Sequence, residues 1–294
     1  MSPPPGGASD RPPREAPWRL SCTSWSFPAC TLPEVAGIAR ALGVGAVDVG
    51  LFYASALDRD ALLASPEAVA AEVRALRELG VTPSNYYHLF GATLADRNLA
   101  DPAALEANVA DFRRVARFCR EAAIPTAMVL PGVVNPGQTR AGALAQSARA
   151  LAELVPIAGE AGVVLTVEPH VHSYLESPTL VAELLERVPG LALTLDYAHF
   201  VCLGYRQEEI DPLAPRAAHV HLRQARPGVL QAKLDRGTIN FPALLGTLRD
   251  CGYAGYLALE VVHQPYMDTL HEDVLTETVR LRDLIRAHGA PAVA

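Results

Sequence analysis

The sequence predicts a single (β/α)8 barrel, an α/β fold. Three observations carry this expectation: eight short apolar runs of strand character, helix-like stretches between them, and a span of about 240 residues for the whole series. The first run, RLSCTSW (19–25), is followed by an amphipathic stretch, LPEVAGIARAL (32–42), that stops at Gly43. The second, AVDVGLF (46–52), leads to a helical pattern over 66–79, opened by Ser65-Pro66 with Glu67 in its first turn and closed by Gly80. The third, SNYYHLF (84–90), precedes 102–122, which opens on Asp101-Pro102, and the fourth, PTAMVL (125–130), precedes 139–161, which stops at Gly162. The fifth run, GVVLTVE (162–168), is followed by Ser177-Pro178, the same opening device. LALTLD (191–196), AAHVH (217–221) and YLALE (256–260) complete the set, with a last helical stretch over 270–287. Near-continuous apolar runs suit parallel strands covered on both faces. A Ser or Asp cap before Pro starts a helix, because the side chain accepts an orphan N–H and Pro lacks one. A glycine ends a helix by taking the left-handed conformation. An open doubly wound sheet would call for a GxGxxG turn after the first strand, and none is there.

The bulk composition bounds the function. The chain has 294 residues, 50% hydrophobic and 19% charged, with a formal net charge of -7. No dense Lys/Arg cluster offers a nucleic acid its electrostatic footprint, so small-molecule partners are expected and nucleic acid is not. The five cysteines, Cys22, Cys30, Cys119, Cys202 and Cys251, form no CxxC pair and are expected as buried reduced thiols of a cytoplasmic protein. No apolar run is long enough to span a membrane, and the first residues have no apolar core of a signal peptide. Residues 1–17, rich in Pro, Gly and charge, are expected as a disordered tail, 18–288 as the barrel and 289–294 as a second tail. A homo-oligomer is compatible with this composition.

The ends of the last four strands carry the chemistry. They finish on Glu168, Asp196, His221 and Glu260, separated by 28, 25 and 39 residues, each about one βα unit. Parallel barrel strands place their carboxyl ends on one face, so these four side chains are expected to converge. Three carboxylates brought together repel one another, and a divalent cation removes that cost. Three oxygen ligands with one imidazole suit Mn²⁺ or Mg²⁺, with Co²⁺, Fe²⁺ or Zn²⁺ also possible. Taken singly, a Glu at a strand end is most often a solvated or helix-capping residue; four in succession weigh against coincidence.

Further residues are expected around that point. His170 and His172 follow Glu168 in EPHVHS, and His199 follows Asp196 in DYAH. His219 points the same way as His221 and is expected one layer deeper in the interior. Arg223 and Arg226 follow the seventh strand, Trp25 ends the first, and His88 lies near the end of the third, so all four are candidate substrate contacts. Long loop 222–240 is expected to fold over the site.

The runs VEPHVHS, LTLDYAH, HVHLRQARPG, DRGTINFPALL and GYAGYLALE resemble the xylose-isomerase-like barrel superfamily. That group holds sugar and sugar-phosphate isomerases and epimerases together with metal-dependent apurinic endonucleases. The resemblance covers roughly 18–288 and is specific from 162 to 262. It implies a catalytic metal on Glu168, Asp196, His221 and Glu260. It also implies that Glu168 and Glu260 remove and return a proton beside a carbonyl, through an enediolate of a sugar, sugar phosphate or related polyol ketone. Two departures matter. The epimerases carry Arg six positions past the metal His, where this chain has Pro227. The endonucleases need an Asp-x-His, where this chain has Asp235-Arg236-Gly237, and further early histidines, where it has only His88. A lyase using the same enolate chemistry on a keto-inositol, a dehydroshikimate-like acid or a C-glycoside is the alternative, and a non-catalytic barrel is a third reading.

Overall fold

The computed structural model describes residues 18–51, 53–270 and 273–289. The expected tails 1–17 and 290–294 lie outside the described residues. Eight parallel strands close into a barrel in chain order: β1 (Arg19–Thr23), β2 (Ala46–Val49), β3 (Thr82–His88), β4 (Thr126–Val129), β5 (Val164–Val167), β6 (Ala192–Asp196), β7 (Ala217–Leu222) and β8 (Tyr256–Leu259). The ladder closes where Arg19–Cys22 pair with Tyr256–Leu259. The connecting helices are α1 (Leu32–Ala41), α2 (Arg59–Ala64), α3 (Pro66–Glu78), α4 (Leu105–Glu121), α5 (Arg140–Glu160), α6 (Pro178–Arg187), α7 (Tyr197–Cys202), α8 (Gln207–Ile210), α9 (Phe241–Asp250) and α10 (Val274–Ala287). After β8 the chain adds a small antiparallel pair, β9 (His263–Gln264) and β10 (Thr269–Leu270).

Local chemistry explains most boundaries. Ser65 Oγ accepts from the Ala68 N–H, Ser177 Oγ from Leu180, and Asp101 Oδ1 from Ala103. Gly43, Gly80 and Gly162 close their helices at φ +67°, +67° and +71°. The last helix starts at Val274 rather than 270, because Asp273 caps it and Leu270 is held in β10. The second strand ends at Val49, and a side chain on the following Gly50 would meet the Trp25 ring at 3.1 Å. Among the described residues no helix is long and apolar enough to cross a membrane. The five cysteines are free thiols; Cys22, Cys119 and Cys202 are buried, whereas Cys30 and Cys251 are only partly so. Burial pushes the Cys22 thiol up to about 12.

The main core fills the space between strands and helices, with Phe112, Phe118, Leu144, Leu151 and Leu154 among its fully buried side chains. The barrel interior is partly polar instead: Thr166 and Thr194 hydroxyls meet at 2.8 Å, and Thr126 donates to Asn85 at 2.8 Å. A separate apolar cluster of Trp25, Tyr87, Met128, Leu130 and Val262 sits beside the site described next.

Candidate functional site

Parallel strands in register bring the predicted residues together. Asp196 ends β6 beside His221 on β7, while Glu168 and Glu260 directly follow β5 and β8. His221 Nδ1 lies 2.8 Å from Glu168 Oε1 and 3.3 Å from Glu260 Oε2. Potential ligand atoms of Glu168, His221 and Glu260 all lie within 4.8 Å of one another. Trp25 Nε1 donates to Glu260 Oε1 at 2.7 Å, whereas Glu260 Oε2 is buried without a hydrogen-bond partner. An orphaned carboxylate oxygen facing an imidazole and a second carboxylate is the donor arrangement a divalent cation satisfies. The residues therefore fit such an ion.

Asp196 is placed differently. Its Oδ1 caps α7 by accepting the Ala198 N–H at 2.8 Å, and its Oδ2 accepts from Arg223 Nε at 2.9 Å and is ion-paired with Nη2 at 2.7 Å. It adjoins the three-residue cluster without joining it. Arg223 Nη2 also lies 3.5 Å from Glu260 Oε2 and 2.9 Å from His199 Nε2.

Beneath the cluster is a residue the sequence reading passed over. Asp48 on β2 is wholly buried and lies 2.6 Å from His219 Nε2 and 3.2 Å from His221 Nε2. Ser21 and Ser84 hydroxyls donate to its other oxygen at 3.0 and 2.5 Å. His219 is in the interior below His221, as expected from its position two residues earlier. The signal for Asp48 was present in AVDVG: a single charge inside an otherwise apolar strand needs a buried partner.

These contacts divide the carboxylates electrostatically. Burial raises the Glu168 carboxyl to about 7, with Glu260 and Asp196 adding to the rise and His221 opposing it. Burial acts the same way on Glu260, but Arg223 and His221 outweigh it and bring that carboxyl to about 2. Burial lowers the His221 ring, yet Glu260, Asp48 and Glu168 together hold it well above its ordinary value.

The cluster opens into a cleft of about 280 Å³. Its walls include Leu89, Leu94, Leu130 and Leu230, with Tyr53, Tyr87 and Tyr266 contributing aromatic surface. Trp25, His170 and Arg223 line it. Burial lowers the His170 ring to about 4. His199 lies behind it, ring centroids 4.1 Å apart, with a ring nitrogen within 4.8 Å of a Glu168 carboxylate oxygen. His88 and Arg226 are placed elsewhere. On β3, Tyr87 turns into the cleft, so His88 packs with Phe90 and Tyr86 behind the wall, ring centroids 4.6 and 5.9 Å away. Arg226 is exposed in a tight turn whose backbone pairs with Val229. The loop after β7 does cover the site, with Leu230 in the cleft and Gln231 clamped to the Val262 backbone by two 2.8 Å hydrogen bonds. Its Lys233 and Arg236 face a different surface.

Residues 37–284 match the family model described as xylose isomerase-like TIM barrel. A human protein named "Putative hydroxypyruvate isomerase" is 28% identical over 276 residues, covering 87% of this chain and 92% of its own. D-psicose 3-epimerase from Clostridium cellulolyticum H10, solved with D-tagatose, superposes with a TM-score of 0.72 at 14% identity, covering 92% of this chain and 99% of the other. The IOLI protein, solved with a bound zinc atom, superposes with a TM-score of 0.69 at 15% identity, covering 92% and 98%.

Proposed function

From the premise that this chain belongs to the xylose isomerase-like TIM-barrel family, we propose that it is a divalent-metal-dependent isomerase or epimerase of a small ketose-like substrate. The observation that carries the reading is the convergence of Glu168, His221 and Glu260 at the floor of one cleft, with Glu260 Oε2 buried and without a hydrogen bond beside the charges of His221 and Arg223. Glu168, His221 and Glu260 would hold the ion, with Asp196 as the fourth ligand. A divalent ion bound there, Mn²⁺ or Mg²⁺ by the hardness of the donors, supplies positive charge where substrate oxygens become anionic.

The protein's own part is proton transfer and positioning. Glu168 and Glu260 both reach the cleft, and one removes the proton beside the carbonyl while the other returns one, through an enediolate. Trp25 holds Glu260 by its indole N–H, so the carboxylate presents its other oxygen to the site. The cleft suits a neutral sugar or polyol ketone better than a phosphorylated one. Arg223 is the one Lys or Arg among its described lining residues, a single cation where a phosphate group calls for several donors. The apolar and aromatic walls favour a small molecule over nucleic acid, which needs a basic surface. The names of the relatives support the same class: a hydroxypyruvate isomerase and a sugar epimerase.

The test is exchange of a carbon-bound substrate proton with deuterated water, followed by NMR across a panel of neutral ketoses and hydroxypyruvate. Exchange is expected after Mn²⁺ is restored to EDTA-treated protein and is lost in Glu260→Gln. Exchange that persists in EDTA, or is absent from every substrate with metal present, refutes the reading.

A further inference from the structure

We infer that Arg223 is a built-in counter-ion that competes with the divalent cation for Asp196, and so sets the affinity of the site. The inference rests on the cation-site reading above and concerns its regulation. Arg223 extends the column of β7 side chains: His219, His221 and Arg223 alternate onto the same face at successive levels. Two of its nitrogens close on one oxygen, Asp196 Oδ2, at 2.7 and 2.9 Å, while the other oxygen is committed to the Ala198 N–H at 2.8 Å. Each Asp196 oxygen thus already accepts from a protein donor. Oδ2, on which both nitrogens close, joins the Glu168–His221–Glu260 cluster only if the guanidinium gives way.

The guanidinium also meets His199. Its Nη2 lies 2.9 Å from His199 Nε2, while His199 Nδ1 lies 3.3 Å from the Val171 N–H. A neutral imidazole accepts at one nitrogen and donates at the other, so one of these two contacts sets donor against donor. Arg223 is held by charge at Asp196, while its His199 contact is satisfied only in the tautomer that turns an Nδ1 proton toward the Val171 N–H, so a competing cation meets one firm restraint and one compromised one. Once released from Asp196, it remains on the cleft wall as the one described Lys or Arg, free to meet a substrate oxyanion or carboxylate. Cation binding and recognition of an anionic group are thereby linked.

The experiment titrates Mn²⁺ by calorimetry into EDTA-stripped wild type and Arg223→Met, the latter keeping a long apolar stem without charge. Met is expected to bind Mn²⁺ at least about fivefold more tightly, within the ordinary range of coupling between sites. General damage to the fold would weaken binding instead. Equal or weaker binding by the variant overturns the inference while leaving the cation site standing, and binding by neither protein overturns both. Should Arg223→Met fold poorly, wild type labelled with ¹⁵N-arginine gives the answer without a variant. The Arg223 Nε–H resonance is expected to shift as Mg²⁺ is added and to saturate with it. A resonance unmoved at saturating Mg²⁺ overturns the inference.

Discussion

Asp48→Asn probes the floor of the site with almost no change in shape. Asp48 is wholly buried and serves His219, His221, Ser21 and Ser84. The amide keeps one acceptor oxygen and places an NH₂ group where the other carboxylate oxygen received protons. Hydrogen bonds to a charged group are worth about 1.5–3 kcal/mol, against about 0.5–1.5 for neutral ones. His221, 3.2 Å away, therefore loses about 1–2 kcal/mol of orientation on the side opposite its Nδ1. As 1.4 kcal/mol is about tenfold in an equilibrium constant, Mn²⁺ affinity is expected to fall about 5- to 30-fold, which overlaps the usual cost of losing a carboxylate behind a metal-binding histidine. Calorimetric titration of Mn²⁺ measures this directly, with circular dichroism confirming that the variant is folded. Folded Asp48→Asn with a dissociation constant within about twofold of wild type would refute the argument that Asp48 orients His221.

Other expectations follow from single contacts. Glu168→Gln and Glu260→Gln are each expected to slow substrate proton exchange by about 10²–10⁴, measured by NMR in deuterated water with Mn²⁺ saturating. Trp25→Phe removes the 2.7 Å bond to Glu260 but keeps an aromatic wall, so its effect on exchange should be smaller than that of Glu260→Gln. His88 has both ring nitrogens buried and unpartnered, and burial, aided by Arg59 and Arg97, lowers its pKa from 6.5 to about 3. The unfolded state then takes up the proton first, so stability is complete above pH 6.5 and lost as pH falls toward 3, by about 1.4 kcal/mol per unit. Between pH 6.5 and 5, urea unfolding of His88→Phe should lose about 2 kcal/mol less than wild type; equal losses would show that His88 is not the group responsible. Gly132→Ala is expected to destabilise by about 1–3 kcal/mol in the same assay. Its φ is +98°, and a Cβ there would lie 2.6 Å from Asn98 Oδ1.

The architecture was legible because its signals are local. Apolar runs, Ser-Pro and Asp-Pro openings and glycine stops each act within a few residues, and eight repeats corroborate one another. The convergence of strand-end residues was legible too, since closing a parallel barrel brings those ends together whatever the loops do. What each side chain meets there depends on contacts distant in sequence. Nothing in LTLDYAH indicates that Asp196 is shared between the N-terminus of α7 and a guanidinium 27 residues on. His88 shows the same limit over a shorter distance. In SNYYHLF two adjacent tyrosines hide which parity faces inward, and Tyr87, not His88, takes the cleft. Nearness to His221 in sequence makes Arg226 a candidate, but the turn to Val229 leaves its side chain exposed.

The polar column through this barrel separates its chemistry from its selectivity. Barrel interiors are ordinarily filled by branched apolar layers, and a buried charge persists only when paired. Here Asp48 is paired from below the site by His219 and His221, both on β7, so the orientation of His221 is fixed by two strands rather than by any loop. Glu168 and Glu260 follow strands directly and take their positions from the same frame. The apolar wall is built otherwise: Leu94 and Leu230 belong to connections, and Leu89 and Leu130 follow strand ends. Substitutions at Leu94 or Leu230 are therefore expected to change which ketose binds, seen as KM, while leaving Mn²⁺ affinity alone. Substitutions at Asp48 should do the reverse, because that residue touches the ligand set and not the cleft.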